Sequence, residues 1–268
     1  MSKIKSLDII EKKILDNTRP QDREVLGIWG IDCFFNPRGN GRVFDYKILL
    51  TQTAGQGCAY SERCDYAREF LRQYVGKDFA DCGITDTALK VSLLDSLCGN
   101  VFPAKNKKTL TMDSDSQTKM KWRSQIIYGE ATRLLGGKKD RLIVNVGVVG
   151  DIMRKFSNEG FSVVGTDFDP EIIGRTAFDG IEVVDGRNTL EAVAKADLAV
   201  ITGMTVTTST IDGIIDCCRK NNVKTIVFAE TAPNMAGYYV ENGIDVYLSE
   251  HFPFYIFNGQ SAIDVCYA

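Results

Sequence analysis

Histidine, proline and long apolar runs are scarce in this chain. Its 268 residues include one His and six Pro. No apolar run approaches the roughly 20 residues that a membrane-spanning helix needs. The first five residues, Met-Ser-Lys-Ile-Lys, lead into a charged helical pattern and not into the apolar core of a signal peptide. We therefore expect a cytoplasmic protein that makes no membrane contact.

Neither sign of charge is in large excess. The chain has 32 Lys and Arg against 35 Asp and Glu, a formal net charge of −3. That balance argues against a nucleic-acid-binding protein that relies on bulk positive charge. A hydrophobic share of 44%, with 14 Phe and 10 Tyr, is typical of an ordinary globular protein. We expect a small-molecule substrate and no nucleic acid, and a homodimer stays open.

Paired metal-binding or redox cysteines are absent, because none of the eight Cys forms a CxxC motif. We expect most of them to be reduced core residues. Cys217 and Cys218 are adjacent, and adjacent helical residues point about 100° apart, so both do not readily face one soft metal ion. The eight are Cys33, Cys58, Cys64, Cys82, Cys98, Cys217, Cys218 and Cys266.

The first hundred residues have the pattern of an α+β unit, in which a β-hairpin is followed by helices. Residues 1–103 are predicted to form a smaller lead domain. Its predicted elements are a helix at 6–16, strands at 24–35 and 43–52 around a turn at 36–41, a glycine-rich loop at 54–57, and helices at about 63–75 and 86–99.

Residues 104–137 are predicted to be a linker and a connecting helix. Residues 104–118 are polar and lack periodicity, which indicates a linker or an exposed loop. A helix is predicted at about 117–135, with Gly136 and Gly137 as its C-terminal cap. Ten Lys and Arg against four Asp and Glu over 105–141 indicate a solvated face, and a site for an anionic partner is the alternative.

Residues 138–268 alternate strand-like and helical patterns, which predicts an α/β domain with a doubly wound, Rossmann-like parallel sheet. The strands carry apolar residues on both faces, as expected for a sheet covered on both sides. They are predicted at 141–147, 161–166, 181–184, 197–203, 223–229 and 244–248, and the helices at 150–159, 188–195, 209–221 and 233–241.

The first strand ends in a glycine turn. In open α/β sheets a ligand binds outside the carboxyl ends of the strands, where the strand order reverses. Gly147 and Gly150 would let the backbone turn tightly and let a ligand approach the following helix. Asn145 stands where the dinucleotide fingerprint GxGxxG has its first Gly. A simple strand-to-helix turn is the alternative.

The second strand ends in an acid, Asp167. It follows Gly147 by about 20 residues, the spacing at which a carboxylate meets a ribose diol. The adjacent Phe168 is assigned to the same ligand site. The alternative is a helix N-cap on Asp167 or Asp169, because Pro170 suits a first helical turn.

Two further strand ends carry polar residues. Asp185 would accept a hydrogen bond from an adenine amino group, or it would belong to a surface turn. The stretch after the next strand is rich in hydroxyls, and we assign Gly203, Thr205 and Thr208 to the ligand cleft. Thr208, Ser209 or Thr210 is expected to cap the helix that begins at Ile211.

The acid Asp151, in the first turn after Gly150, bears on the choice of ligand. A carboxylate there would repel a pyrophosphate, which weighs against NAD and FAD, and would attract the ammonium and sulfonium groups of S-adenosylmethionine. The run Val163–Glu171 also resembles the second strand of class I methyltransferases. An Asp151 that caps the helix and binds nothing is the alternative.

Several segments resemble a little-characterised bacterial and archaeal family named for "putative heavy-metal chelation". They are Ala196–Gly203 with Thr205 and Thr210–Asp212, Lys224–Ala229, Asn242–Val246, and Ala88–Leu97. The resemblance implies a lead domain like the N-terminal domain of enolase, joined to a Rossmann-like domain. This chain has Thr208 where the family usually has Asn, and Ala-Glu-Thr at 229–231 where it has Gly-Pro-Ser.

Three functions follow from these residues. The first is an enzyme that binds S-adenosylmethionine, or a related adenosyl ligand, and transfers an alkyl or methyl group or displaces the sulfonium. Its candidate catalytic residues are Glu230, Glu250, His251 and Tyr60, with Tyr66 as a further candidate.

The second function is a heavy-metal-chelating or metallophore-handling protein without turnover. It would use Cys217 and Cys218, or His251 with Glu250 and Asp264, although a lone His near aromatic residues is more often packed or hydrogen-bonded. The third is a non-catalytic protein that binds an adenosyl ligand.

Overall fold

The protein has a mixed α/β fold with two β-sheets. The computed structural model describes residues 5–35, 44–61, 66, 68–174 and 178–268. One sheet has eight mostly parallel strands, and the other has three antiparallel strands. The predicted α/β class and the large, mostly parallel sheet are confirmed.

The strands and helices are numbered in chain order. The strands are β1 Gly27–Phe35, β2 Phe44–Gln52, β3 Gln56–Tyr60, β4 Lys107–Ser114, β5 Leu142–Val146, β6 Ser162–Asp167, β7 Glu182–Asp185, β8 Leu198–Thr202, β9 Lys224–Ala229, β10 Val246–Glu250 and β11 Gly259–Tyr267. The helices are α1 Lys5–Asn17, α2 Arg68–Arg72, α3 Thr87–Val101, α4 Ser116–Leu134, α5 Gly150–Asn158, α6 Thr189–Val193, α7 Met204–Thr207, α8 Ile211–Asn221 and α9 Ala236–Glu241.

The large sheet has the order β4-β11-β10-β9-β8-β5-β6-β7. The six strands from β10 to β7 are parallel, and β11 and β4 are added as an antiparallel pair at one edge. The chain starts the parallel part at β5, proceeds to β6 and β7 on one side, and returns to β8 on the other. The strand order therefore reverses between β5 and β8, where a crevice is expected at the carboxyl ends of the strands.

The central strands are apolar because helices cover both faces of the sheet. Residues 198–201 of β8 and 225–229 of β9 are all buried. Two core clusters lie against the sheet, one including Val144 and Ile201 and the other including Ile143 and Val200. Neighbouring residues of a strand thus point into different cores, which explains the continuous apolar runs.

The small sheet packs on α3. Its β1 and β2 pair antiparallel, as the predicted hairpin requires, and the predicted turn at 36–41 lies outside the described residues. A Cβ on Gly57 of β3 would lie 1.9 Å from the carbonyl oxygen of Ser92, so only glycine permits this approach of strand to helix. The carbonyl oxygen of Ser92 also accepts a hydrogen bond from Thr51 Oγ1 at 2.8 Å.

The prediction of a linker or loop at 104–118 was wrong. Residues 107–114 form β4, which pairs along its length with β11. The strand is an edge strand with a largely exposed, polar sequence, and charged residues on such an edge discourage further pairing. It therefore lacks the apolar pattern by which strands are predicted. The division into two domains, and the likeness of residues 1–103 to the enolase N-terminal domain, stay predictions.

Hydrogen bonds fasten β3 to the loop that follows β9. Tyr60 N–H donates to Thr231 Oγ1 at 2.9 Å, and Ala232 N–H donates to the carbonyl oxygen of Cys58 at 2.9 Å. The fully buried Asp95 of α3 accepts from Cys58 N–H and from Asn234 N–H. These contacts hold Tyr60 close to the carboxyl end of β9.

Among the described residues, no helix is both long and apolar enough to cross a membrane.

Candidate functional site

A cavity of about 950 Å³ lies at the carboxyl ends of β5, β6, β8 and β9. The small sheet closes one side of it with Tyr46 and Tyr60, and α4 contributes Met120 and Arg123. The structure brings nine of the predicted site residues to the wall of this cavity. They are Tyr60, Gly147, Gly150, Asp151, Asp167, Phe168, Thr205, Thr208 and Glu230.

The glycine turn after β5 has room for no side chain. Gly147 has φ +72°, and a Cβ there would lie 2.1 Å from Thr202 Cγ2. The predicted Asn145 does not line the cavity, because it is fully buried beneath the turn. Its Oδ1 accepts from Val149 N–H at 2.9 Å, and its Nδ2 donates to the carbonyl oxygen of Val200 at 3.1 Å. Asn145 thus holds the turn in place.

Asp167 lies at the cavity wall and also organises the glycine turn. Its Oδ2 accepts from Val148 N–H at 2.8 Å, and its Oδ1 accepts from Asp169 N–H at 3.0 Å. Residues 170–172 form a turn and not the helix considered from sequence. Each carboxylate oxygen keeps a second lone pair, so Asp167 still has acceptors for a ligand.

Phe168 presents an open aromatic surface beside Asp167. It is 56% exposed, and its ring lies directly on Gly186, where a Cβ would be 2.8 Å from the ring. Because a flat apolar face at a cavity wall suits a planar ring, Phe168 is placed to contact a heteroaromatic ligand.

Negative charge predominates at the cavity wall. Five carboxylates and three guanidinium groups line it, those of Asp151, Asp167, Glu171, Asp212 and Glu230 and of Arg123, Arg154 and Arg187. Asp151 lies in the first turn of α5, and its Oδ2 is buried without a hydrogen-bond partner. Its Oδ1 lies 3.7 Å from Arg154 Nη1. An unpartnered carboxylate oxygen favours a ligand that brings a proton donor or a positive charge.

One part of the cavity wall, which we call the floor, consists of Tyr46, Tyr60, Arg123, Glu230 and Tyr255. Arg123 Nη1 donates to Glu230 Oε1 at 2.6 Å, and Tyr60 Oη donates to Glu230 Oε2 at 2.5 Å. The hydroxyls of Tyr46 and Tyr255 lie 3.2 Å apart, and the Arg123 guanidinium lies 4.0 Å from the centre of the Tyr255 ring. Burial raises the pKa of Tyr60 well above its usual range, so its hydroxyl is a proton donor.

Arg123 corrects the expectation that residues 105–141 form only a solvated face. Its side chain is 4% exposed. It lies on the inward face of α4 with Lys119, Ile127 and Ala131, all buried and spaced four residues apart. That spacing is the one signal in the sequence that could have found it. Lys119 donates to the carbonyl oxygen of Phe257 and to Ser261 Oγ, and so fixes the loop after β10.

Glu250 lies behind the floor and does not line the cavity. Its Oε2 is 3.4 Å from Arg123 Nη1, and its Oε1 accepts from Tyr255 N–H at 2.6 Å. Burial, reinforced by the neighbouring Glu230, raises the pKa of Glu250 to about 7. One guanidinium thus pairs with two buried carboxylates.

Other predicted residues lie away from the cavity wall. Asp185 Oδ1 accepts from Arg187 N–H at 2.8 Å, as in the surface-turn alternative, and Gly203 packs against the carbonyl oxygen of Thr231. His251 Nε2 lies 3.3 Å from Asp264 Oδ2, a contact that lowers the pKa of Asp264. Tyr66 Oη lies 2.7 Å from Ser61 Oγ.

The expectation of a side-chain cap on α8 was wrong. Thr210 is the N-cap residue, but its side chain makes no capping hydrogen bond, and its Oγ1 lies 3.1 Å from Thr208 Oγ1. Ser209 has φ +63°, and this backbone conformation turns the segment before the helix.

Metal ligands do not cluster in the described part of the chain, where no three His, Cys, Asp or Glu side chains are placed to hold an ion. Cys217 is half-buried and its Sγ donates to the carbonyl oxygen of Leu190, whereas Cys218 is buried, which raises its pKa to about 12. Cys64 lies outside the described residues.

We predict that the free energy of unfolding falls as the pH rises from about 5 to 8. Burial raises the pKa values of Glu250 and Asp95 to about 7. In this range the folded protein therefore holds protons that the unfolded chain has released. Each carboxyl contributes on the order of 2 kcal/mol across the window. Urea unfolding at several pH values measures the slope, which Glu250→Gln should reduce. A stability that rises with pH would contradict the assignment.

Part of the site lies in a segment of the chain that matches a known family model. Residues 131–247 match the model described as "Putative heavy-metal chelation", DUF364. The matched segment includes the glycine turn, Asp167 and Glu230, but not Tyr60 or Arg123. No curated protein matches the chain in sequence.

Two solved structures from that family share the fold over nearly the whole chain. A protein of unknown function from Desulfitobacterium hafniense aligns with a TM-score of 0.56 at 10% identity, covering 98% of this chain and 99% of that one. Another of unknown function, from Pyrococcus horikoshii, aligns with a TM-score of 0.55 at 11% identity, covering 97% and 99%. At these identities the likeness concerns the fold alone.

Proposed function

We propose that the cavity binds S-adenosylmethionine or a related adenosyl ligand, and that the protein catalyses alkyl or methyl transfer, or sulfonium displacement, on a small metabolite. The observation that carries this proposal is the unpartnered Oδ2 of Asp151, in the first turn of α5, within a wall of predominantly negative charge. The Asp151 carboxylate would repel a pyrophosphate and attract a sulfonium or ammonium group.

The strand order supports the proposal that the large sheet has a Rossmann-like topology. From β7 to β10 the order corresponds to 3-2-1-4-5-6 in doubly wound dinucleotide-binding sheets. The cavity lies at the reversal of that order, and Asp167 ends the second strand of the series. These are the places where such sheets hold a nucleoside.

Different residues of the cavity wall offer groups for different parts of the ligand. Asp167 would accept hydrogen bonds from ribose hydroxyls, and Phe168 would lie against the adenine. Asp151 would face the positive charge. When bound, the ligand supplies a carbon that is electrophilic because it is attached to sulfonium.

The floor could handle a proton during such a reaction. Tyr60 Oη donates to Glu230 Oε2, and Arg123 Nη1 donates to Glu230 Oε1. Tyr60 can therefore accept a proton from a substrate as it passes its own to Glu230. Glu250 and His251 lie too far back to touch a ligand in this cavity, so we propose Tyr60 and Glu230 as the catalytic pair.

The alternative, a heavy-metal-chelating or metallophore-handling protein, has the family description in its favour. The described side chains do not fit a directly held ion, because no group of three ligands converges among them. A metal therefore enters none of the steps proposed for this site.

We predict that Asp167→Asn weakens binding of S-adenosylmethionine by at least about tenfold, because one ribose acceptor is lost while an oxygen remains for Val148 N–H. Isothermal titration calorimetry measures the affinity. Asp169→Asn is the matched control, since that carboxylate does not line the cavity, and should leave the affinity within about threefold. Equal affinity in the Asp167 variant and the unaltered protein would overturn the assigned site.

A further inference from the structure

The floor contains a buried hydrogen-bond donor that has no acceptor. Arg123 Nη1 makes the contacts to Glu230 and Glu250, while Arg123 Nε is buried without a partner. A buried donor left without an acceptor destabilises the folded protein, so such a group beside a cavity calls for an explanation. An acceptor on a bound ligand supplies one after a small shift of the guanidinium.

The charge of the same cluster is incompletely balanced. Glu230 and Glu250 share one guanidinium, and Lys119 on the same helix face is engaged with Phe257 and Ser261. Burial, and after it the neighbouring Glu230, raises the pKa of Glu250. A positively charged ligand group beside Glu230 would reduce this imbalance of charge. The aromatic rings of Tyr46, Tyr60 and Tyr255 would also attract such a group.

A ligand of one charge alone meets only half of these requirements. A carboxylate by itself would add a third negative charge beside Glu230 and Glu250, and an ammonium by itself would leave Arg123 Nε unpartnered. Arg123 Nη1 and Glu230 Oε1 are 2.6 Å apart, so the positive and the negative partner on the ligand must also be close together. An α-amino acid carries its ammonium and carboxylate on one carbon.

We propose that the floor binds an α-amino acid group, with its ammonium at Glu230 and Tyr60 and its carboxylate at Arg123. This inference rests on the proposed function in that the group shares the cavity with an adenosyl ligand. It is either the amino acid end of that ligand or a separate amino acid. A volume of about 950 Å³ lies at the upper end for ligand pockets and accommodates both arrangements.

The test uses methionine and two analogues of the same shape, one without the carboxylate and one without the ammonium group. Calorimetry with each probe is run on the free protein and in the presence of methylthioadenosine, which has the nucleoside but no amino acid group. Methionine should bind at least about tenfold more tightly than either analogue, because each analogue leaves one charged group of the floor without its partner. Equal affinities, or no binding of methionine in either condition, would overturn the proposal.

Variants of floor residues test whether the preference for methionine arises at the floor. Glu230→Gln and Tyr60→Phe should abolish the preference for methionine over its carboxylate-only analogue while leaving methylthioadenosine affinity within about threefold. Glu241→Gln, a surface carboxylate paired with Lys105, is the matched control and should change neither. A preference that survives in Glu230→Gln would place the amino acid elsewhere.

The two sources of the amino acid group give different results. If it is the end of the adenosyl ligand, methionine and S-adenosylmethionine compete, and S-adenosylmethionine binds more tightly than methylthioadenosine. If it is a separate molecule, methionine binds together with S-adenosylmethionine. If only the adenosyl site is assigned wrongly, methylthioadenosine does not bind, but the protein still binds methionine more tightly than the two analogues.

Discussion

Replacing Arg123 by Met should lower the free energy of unfolding by about 4 kcal/mol, because removal of one partner leaves buried carboxylates uncompensated. Both Glu230 and Glu250 lose their shared guanidinium in this variant, and each is less than 10% exposed. Urea denaturation followed by circular dichroism measures the loss. The result would establish that the floor is an ionic cluster held inside the protein, and not a surface ion pair that water screens.

Two further variants separate this effect from ordinary loss of packing. Arg133→Met removes a guanidinium from the same helix, where it pairs with Glu130 and is 53% exposed. Its cost should stay below about 1 kcal/mol, as for exposed ion pairs. Adding Glu230→Gln and Glu250→Gln to Arg123→Met should restore much of the stability. A loss below about 1 kcal/mol for Arg123→Met alone would contradict the account.

Replacing Gly147 by Ala should destabilise the protein by about 3 kcal/mol and distort the turn that faces the cavity. The added Cβ would overlap Thr202 Cγ2, and a positive φ costs a residue with a Cβ about 1–2 kcal/mol on its own. Because Val148 N–H and Val149 N–H are held by Asp167 and Asn145, the turn has little freedom to relax. Urea denaturation gives the loss in free energy.

The steric and conformational parts of this effect can be measured apart. Thr202→Ser removes the methyl group that the new Cβ would overlap, so the double variant Gly147→Ala with Thr202→Ser should regain about half of the loss. Gly160→Ala has φ +91° and nothing within 4 Å of the added Cβ, so it reports the backbone cost alone. Equal losses in Gly147→Ala and Gly160→Ala would show that the close contact does not matter.

The parallel strands could be predicted because a strand buried on both faces has to be apolar along its whole length. Runs such as 142–146 and 198–202 satisfy that requirement except at Asn145 and Thr202. The edge strand β4 does not, since it is polar and exposed and is a strand only because β11 pairs with it. Its pairing is a tertiary interaction that no local pattern encodes.

Some residues of the candidate site could also be predicted from the sequence, and others could not. Gly147 and Asp167 could be found because the ends of parallel strands meet at one edge, and their spacing in the chain corresponds to neighbouring strands. Arg123 comes from a helix with many basic residues, and only its four-residue spacing from Ile127 and Ala131 indicates that it points inward. The contact between Tyr60 and Glu230 joins residues 170 apart in the chain, so sequence could suggest each residue but not the pair.

A crystal structure of the protein with S-adenosylmethionine tests the central claim most directly. We predict that the ligand lies in the cavity at the ends of β5 and β6, with its ribose hydroxyls hydrogen-bonded to the carboxylate of Asp167. A cavity without ligand density at saturating concentration, or a ligand bound away from Asp167, would contradict the account.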